Sequence, residues 1–346
     1  MLAPDRPRII GGMFGLEVPS VPTGFAPPFI TDHSVLLATA RSGIMLLIQQ
    51  LAPGCIWMPS YFCNHILQIL QELGPQLNFY EVDYDLCLPS LTWVDQVQPN
   101  DLVIVADYFG FPADINAKKR LKEQGALVLE DASQALLSRP VGQYADFVLY
   151  SPRKFLGVPD GGVLNSTSGV LLDQLPLATV SADWWLQAFQ ATLLRREFDH
   201  HGGDRQWFEL FKTVERDGPL TPSAMSGFSK TVLCSCCNYP LMAEKRIKNY
   251  QQLSSRLSDL ALFPCLPDGV VPLGFPIRVQ DRDRVRQVLF SQEIYPPVHW
   301  EIGGVVPDRF QGSHRLSAEI MTLPCDQRYG LDEMDRISSA VSREVY

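Results

Sequence analysis

Residues 130–162 read EDASQALLSRPVGQYADFVLYSPRKFLGVPDGG. One apolar run, ALVLED at 126–131, ends on Asp131. A second, ADFVLYS at 145–151, ends on Ser151, and Lys154 follows three residues later, ahead of Gly161-Gly162. Runs this short and this apolar, bounded by Gly, Pro and polar residues, predict strands buried on both faces. In sheets of that kind, ligands collect at the carboxyl ends of the strands. An acid and a primary amine therefore stand where a ligand is expected.

Outward from this stretch the same texture continues. CIWMPS, LNFYEV, DLVIVADYFG and GGVLNS read as further strands, and Ser60 and Asp107 stand at strand ends. SGIMLLIQQL at 42–51 has helical spacing and stops at Pro53-Gly54. FCNHILQILQELG and INAKKRLKEQG are amphipathic helices stopped by Gly74 and Gly125. The alternation predicts an α/β fold, a mostly parallel central sheet with flanking helices. The first thirty residues, rich in Pro and Gly, read as an irregular lead-in. After about residue 170 the pattern changes, and 195–218, RREFDHHGGDRQWFELFKTVERDG, reads as an exposed insert or flap. A long helical pattern from Met225 to Leu260 breaks near Tyr239-Pro240. A strand, a helix and a terminal helix follow. The expected division is a large domain at 1–239 and a smaller C-terminal α/β domain at 240–346.

The 346 residues are 46% hydrophobic and 19% charged, with a net charge of −9. That suits a globular chain with a real core. It lacks the basic footprint of a nucleic-acid binder. The N-terminus has no apolar signal-type run, and no stretch approaches the ~20 apolar residues a membrane helix needs. A cytoplasmic protein with small-molecule substrates, and neither nucleic acid nor membrane as partner, is expected. The eight cysteines are scattered apart from CSCC at 234–237, whose spacing is wrong for a zinc site, so no metal is expected.

A buried strand that ends in an aspartate needs a partner for the charge. An enclosed lysine is pushed toward its neutral, nucleophilic form. An amine and a carboxylate at neighbouring strand ends suit pyridoxal 5'-phosphate: Lys154 as Schiff-base partner, Asp131 on the protonated ring nitrogen. At about 4 Å and an effective dielectric of ~20 that pairing is on the order of 4 kcal/mol before desolvation. Ser42 and the amide of Gly43, at the start of a helix, and the Ser151 hydroxyl would hold the phosphate. Each element alone has a plain alternative. Asp131 reads as well as a helix cap, Lys154 as a surface lysine, Ser42 as an N-cap and Gly161-Gly162 as a turn. Their order in the chain discriminates.

RSGIML, MPSYFCNHIL, DYFGFP, EDASQAL, SPRKFL and PDGG, in that order, resemble the DegT/DnrJ/EryC1/StrS family of pyridoxal-phosphate-dependent aminotransferases of fold type I. The resemblance spans nearly the whole chain. It implies Lys154 as the catalytic Schiff-base lysine, Asp131 as the ring-nitrogen partner, and Gln134 near the ring hydroxyl. Ser42, Gly43 and Ser151 fall on the phosphate and Tyr61, or else Phe62, on the ring face. It implies transfer of an amino group from glutamate or glutamine to a nucleotide-linked keto sugar, in a homodimer, as in polysaccharide biosynthesis. There are two departures. Ile44 stands where the family has a hydroxyl or basic side chain. GFSK at 227–230 stands where many members lend an asparagine to the neighbouring subunit's phosphate, which leaves Ser229 and Lys230 as substitutes. Residues 195–218 match no part of the pattern. A sugar dehydratase would carry histidine in place of Lys154. A regulatory protein with a decayed site would not need the intact set, and no dinucleotide-binding glycine motif follows a strand.

Overall fold

The structure is a computed structural model, and it describes residues 8–18, 23–169, 172 and 176–345. Parts of the lead-in, residues 1–7 and 19–22, lie outside the described residues. The chain runs through β1 (Ile10–Gly11), β2 (Ser34–Leu37), α1 (Ala40–Leu51), β3 (Ile56–Pro59), α2 (Asn64–Leu73), β4 (Leu77–Tyr80), β5 (Leu102–Ala106), α3 (Ile115–Glu123), β6 (Leu127–Asp131), β7 (Phe147–Tyr150) and β8 (Gly162–Ser166). It continues through α4 (Ala182–His201), α5 (Gln206–Arg216), α6 (Gly227–Ser235), α7 (Tyr239–Leu257), β9 (Phe275–Arg278), α8 (Arg282–Ser291), β10 (Ile294–Tyr295), α9 (Gln311–Glu319), β11 (Ile320–Leu323) and α10 (Leu331–Val345).

Seven strands form one sheet in the order β2-β8-β7-β6-β5-β3-β4. The strands β3 to β7 are parallel, and β8 is antiparallel to both β7 and β2. Every residue of β5 and β7 is buried, the signature of strands covered on both faces. Helix ends follow local chemistry. Asp114 caps α3 by accepting from the amides of Asn116 (2.7 Å) and Ala117 (3.0 Å), a contribution of about 1 kcal/mol. Gly74 ends α2 in the left-handed conformation, φ 80°.

Among the described residues there are two large hydrophobic cores and a small third cluster of Trp184, Ala188 and Val214 in the α4/α5 hairpin. The first lies around the sheet; the second gathers α7, β9, α8, β11 and α10. They do not part at one residue. Ile10 in the lead-in belongs to the second core, because β1 pairs with β10. Ile302, Val306, Phe310 and Leu316 return to the first. Among the described residues no helix is long and apolar enough to cross a membrane.

The expected stretch is exposed along much of its length, as read, but it is helical rather than a flap. Residues 195–218 end one long helix and form another: α4 and α5 pack as an antiparallel hairpin across a turn at 202–205. Trp184 Nε1 donates to the Val214 carbonyl at 3.1 Å, tying the start of one helix to the end of the other. Most of the charges face solvent, as expected, Glu197, Asp204, Arg205, Glu209, Lys212, Arg216 and Asp217 among them; Arg195 is the exception. Arg195, 1% exposed, donates to Asp199 at 2.8 Å and stacks over the Trp207 ring at 4.6 Å. His200 and His201 stay exposed at the end of α4.

Candidate active site

Three carboxyl-terminal strand features meet one helix start. Asp131 is the last residue of β6, Ser151 follows β7, and Lys154 ends the single 3-10 turn Pro152–Lys154. Strand register sets Asp131 between Ala106 of β5 and Leu149 of β7. The start of β8 meets the start of α1. Gly162 packs so closely there that a Cβ would stand 2.4 Å from the carbonyl carbon of Thr39, so any side chain would push the helix away. The two sequence-distant halves of the site are therefore joined backbone to backbone.

The result is a cavity of about 380 Å³, lined among others by Thr39, Arg41, Asp131, Ser151, Lys154 and Trp300. Asp131 Oδ1 accepts from the Ser133 amide at 2.9 Å. The Lys154 amide donates to the Ser151 carbonyl at 3.1 Å, while Lys154 Nζ makes no hydrogen bond or ion pair among the described residues. A second cavity of about 390 Å³ adjoins it and shares Cys63, Ser151, Arg153, Lys154, Glu215 and Trp300. The two are lobes of one space, with Lys154 on both.

Several expected residues lie elsewhere. Helix α1 begins at Ala40, not Ser42, because Thr39 is its N-cap: Thr39 Oγ1 accepts from the Ser42 amide at 3.1 Å. Ser42 is fully buried, its hydroxyl facing Thr39 Oγ1 and the Thr221 carbonyl. Gly43 packs against Leu149, where a Cβ would stand 2.7 Å from Cδ1. Neither lines the cavity; Thr39, Ala40 and Arg41 do. Tyr61 is fully buried and does not line the cavity either. Its hydroxyl accepts from the Trp300 amide at 2.8 Å and donates to the His299 carbonyl, so it holds the 299–300 segment. Phe62 is 1% exposed. The aromatic ring on the cavity is that of Trp300, packed against Tyr61 and Phe62 at 5.8 and 6.0 Å. Ser229 is also fully buried: its hydroxyl donates to Asp160 at 2.5 Å, and Asp160 also accepts from the amide and hydroxyl of Ser226, both at 2.6 Å. Ser229 locks the Asp160-Gly161-Gly162 turn of its own chain and has nothing left for a neighbour. Lys230 is exposed.

The sequence reading missed Arg41, Arg153, Glu215 and Trp300. Thr39 three residues ahead of Ser42 was the available signal for the true helix start. Arg41 Nη1 and Nη2 donate to the carbonyls of Gly218 and Glu215 at 3.1 and 3.0 Å, tying the end of α5 to the start of α1. Burial works to raise the Glu215 carboxyl, but the guanidinium of Arg153 at 2.6 Å, helped by Arg41 and Lys154, outweighs it and holds the group below its ordinary value. Burial and the Lys154 ammonium push the His299 imidazole down to about 3.

These residues fit pyridoxal phosphate. Gln134 is buried and, like Ser42 and Tyr61, lines neither lobe; its Oε1 accepts from the Phe109 amide at 2.7 Å, and its Nε2 is left without a partner, a donor that a ring oxygen would satisfy. Arg41 Nε is likewise buried and unpartnered at the start of α1, where amides and helix dipole favour a phosphate. Lys154, Asp131, Ser151, Gln134 and the start of α1 would hold the group.

Comparison with known proteins agrees. A family model described as the DegT/DnrJ/EryC1/StrS aminotransferase family matches residues 23–342. No curated protein sequence matches. Among solved structures, S. venezuelae DesV is similar over 92% of this chain and 86% of its own, with 17% identity and a TM-score of 0.67. Helicobacter pylori PseC, an aminotransferase involved in the biosynthesis of pseudoaminic acid, is similar over 98% and 99%, with 14% identity and a TM-score of 0.66. The PLP-form of Spr1654, a putative sugar aminotransferase from Streptococcus pneumoniae, is similar over 94% and 93%, with 16% identity and a TM-score of 0.64.

Proposed function

The chain belongs to the DegT/DnrJ/EryC1/StrS aminotransferase family, and from that premise we propose that it moves an amino group from glutamate or glutamine to a nucleotide-linked keto sugar. The observation that carries the reading is the convergence of Lys154, Asp131 and Ser151 on one cavity, with the start of α1 beside them. Pyridoxal phosphate supplies an electron sink for the carbon that bears the amino group. Asp131 keeps the ring nitrogen's proton in place. Ser151, the first amides of α1 and Arg41 bind the phosphate, and Gln134 Nε2 donates to the ring oxygen. Lys154 Nζ takes up a proton from the reacting carbon and returns it, a general base and then a general acid. The two-lobed cavity leaves space beside Lys154 for a substrate larger than an amino acid.

The homodimer belongs to the same proposal. Exposed Leu186 and Leu193 on α4 supply apolar surface for a twofold contact. With Ser229 turned inward, that dimer need not share its phosphate site.

The test is a pair of half-reactions followed by the cofactor's visible absorbance. Glutamate or glutamine should bleach it, and a nucleotide-linked keto sugar should restore it. Bleaching by the donor with no recovery from a panel of keto sugars, free or nucleotide-linked, would remove the sugar from the reading.

A further inference from the structure

At the junction of the two lobes, Arg153 Nη2 meets Glu215 Oε1 at 2.6 Å. The side chains are 18% and 43% exposed, so the pair is neither sealed in the core nor free on the surface. The other cations around the lobes are committed. Arg41 holds the carbonyls of Glu215 and Gly218. Arg328 holds Asp326 and the carbonyls of Gly12 and Met13. Arg216 pairs with Asp217 and is 70% exposed. Lys154 is needed for the reaction. Arg153 differs in that it and its carboxylate partner line both lobes, whereas Arg328 and Asp326 line only the second, and that carboxylate belongs to α5.

Transfer between an amino acid and a keto sugar asks one site to take a carboxylate-bearing substrate and then one that carries no carboxylate at that place. An enclosed arginine with no counter-ion is costly in the second state. A fixed internal carboxylate would obstruct the first. We propose that Arg153 binds a carboxylate of the amino donor, and that Glu215 is the internal counter-ion which the donor displaces and which returns when the sugar binds. The exchange keeps one carboxylate on the guanidinium throughout, with the fork geometry that arginine offers. Glu215, nearly half exposed, can swing toward solvent while Arg41 still holds its backbone carbonyl. This rests on the aminotransferase reading and adds how the donor is recognised.

The test uses the cofactor-loaded protein and glutarate, a dicarboxylate that cannot react, titrated by calorimetry. Arg153→Met should weaken glutarate by about 10- to 100-fold and raise the KM for glutamate to match, with kcat much less affected. Glu215→Gln should tighten glutarate by about threefold or more, because the competitor is gone. If the pair only fastens α5, both variants weaken glutarate alike, and the proposal falls. It falls too if Arg153→Met changes glutarate binding less than about threefold. The titration needs no keto sugar. A protein that transfers to no sugar but shows the opposed shifts loses its acceptor assignment and keeps this inference; working sugar transfer with flat titrations does the reverse.

Discussion

The cavity has two walls built in different ways. The strand-end wall carries Asp131, Ser151 and Lys154 on backbone fixed by sheet hydrogen bonds, with Gly162 pressed against Thr39. The hairpin wall, from α5, packs on α4 through the apolar cluster of Trp184, Ala188 and Val214 and is tied to the strand-end wall by polar side chains: Arg41 to two carbonyls, Arg153 to Glu215. A wall fixed by backbone can present reacting atoms with little freedom. A wall fixed by ion pairs can exchange partners. The division matches what the two walls are asked to do, chemistry on one and recognition on the other.

If that contrast holds, changes on the strand-end wall should remove chemistry with little loss of stability. Lys154→Ala should slow amino transfer by about 1,000-fold or more while the urea midpoint stays near that of the parent. A large drop in stability would show that Lys154 also supports the fold. Asp131→Asn should retain the cofactor but slow the glutamate half-reaction by about 100-fold. An unchanged rate would reduce Asp131 to a cap for the Ser133 amide.

The hairpin wall should respond in the opposite sense. Arg41→Met removes two charge-assisted contacts and should lower the stability of the cofactor-free protein by about 2 kcal/mol. It should also speed tryptic cleavage at Arg205 in the turn between α4 and α5. Unaltered stability and cleavage would mean that apolar packing alone seats the hairpin.

The smallest effect is a pH dependence. His299, half-buried between the walls, stays neutral in the folded chain down to about 3, whereas the unfolded chain titrates near the ordinary value of ~6.5. Between those values the unfolded state binds the extra proton. Stability therefore falls as pH drops through ~6.5 and levels off near 3, by at most about 1.4 kcal/mol per pH unit, less where solvent screens the group. Urea unfolding at pH 7 and pH 5 should show His299→Gln losing less stability over that interval than the parent does. Equal losses would place the acid sensitivity elsewhere.

The strand-end wall was legible because its signals are local. A buried apolar run ends where its polar residue begins, and Asp131, Ser151 and Lys154 were placed within one turn of the strand ends. The start of α1 lies two residues earlier than the sequence suggests, since Thr39 and Ser42 are both good capping types and only the Thr39 Oγ1 bond to the Ser42 amide shows which one caps. The family resemblance implies Tyr61 or Phe62 on the ring face, yet both side chains are buried in the core and Trp300 arrives from far along the chain. Ser229 failed for a similar reason: its partner Asp160 lies 69 residues away in sequence.

By itself the sequence determined the α/β alternation, the burial of the central strands and the residues at their carboxyl ends. Period and composition act over a few residues and need no partner to be read. Only the tertiary structure decided what closes the cavity. Charged residues at 195–218 have one composition whether they face water or pair with Asp199, Trp207 and one another's helices, and hydrogen bonds between distant segments leave no periodic trace. The same holds for Arg153 and Glu215, whose meaning comes from an approach of 2.6 Å between residues 62 apart.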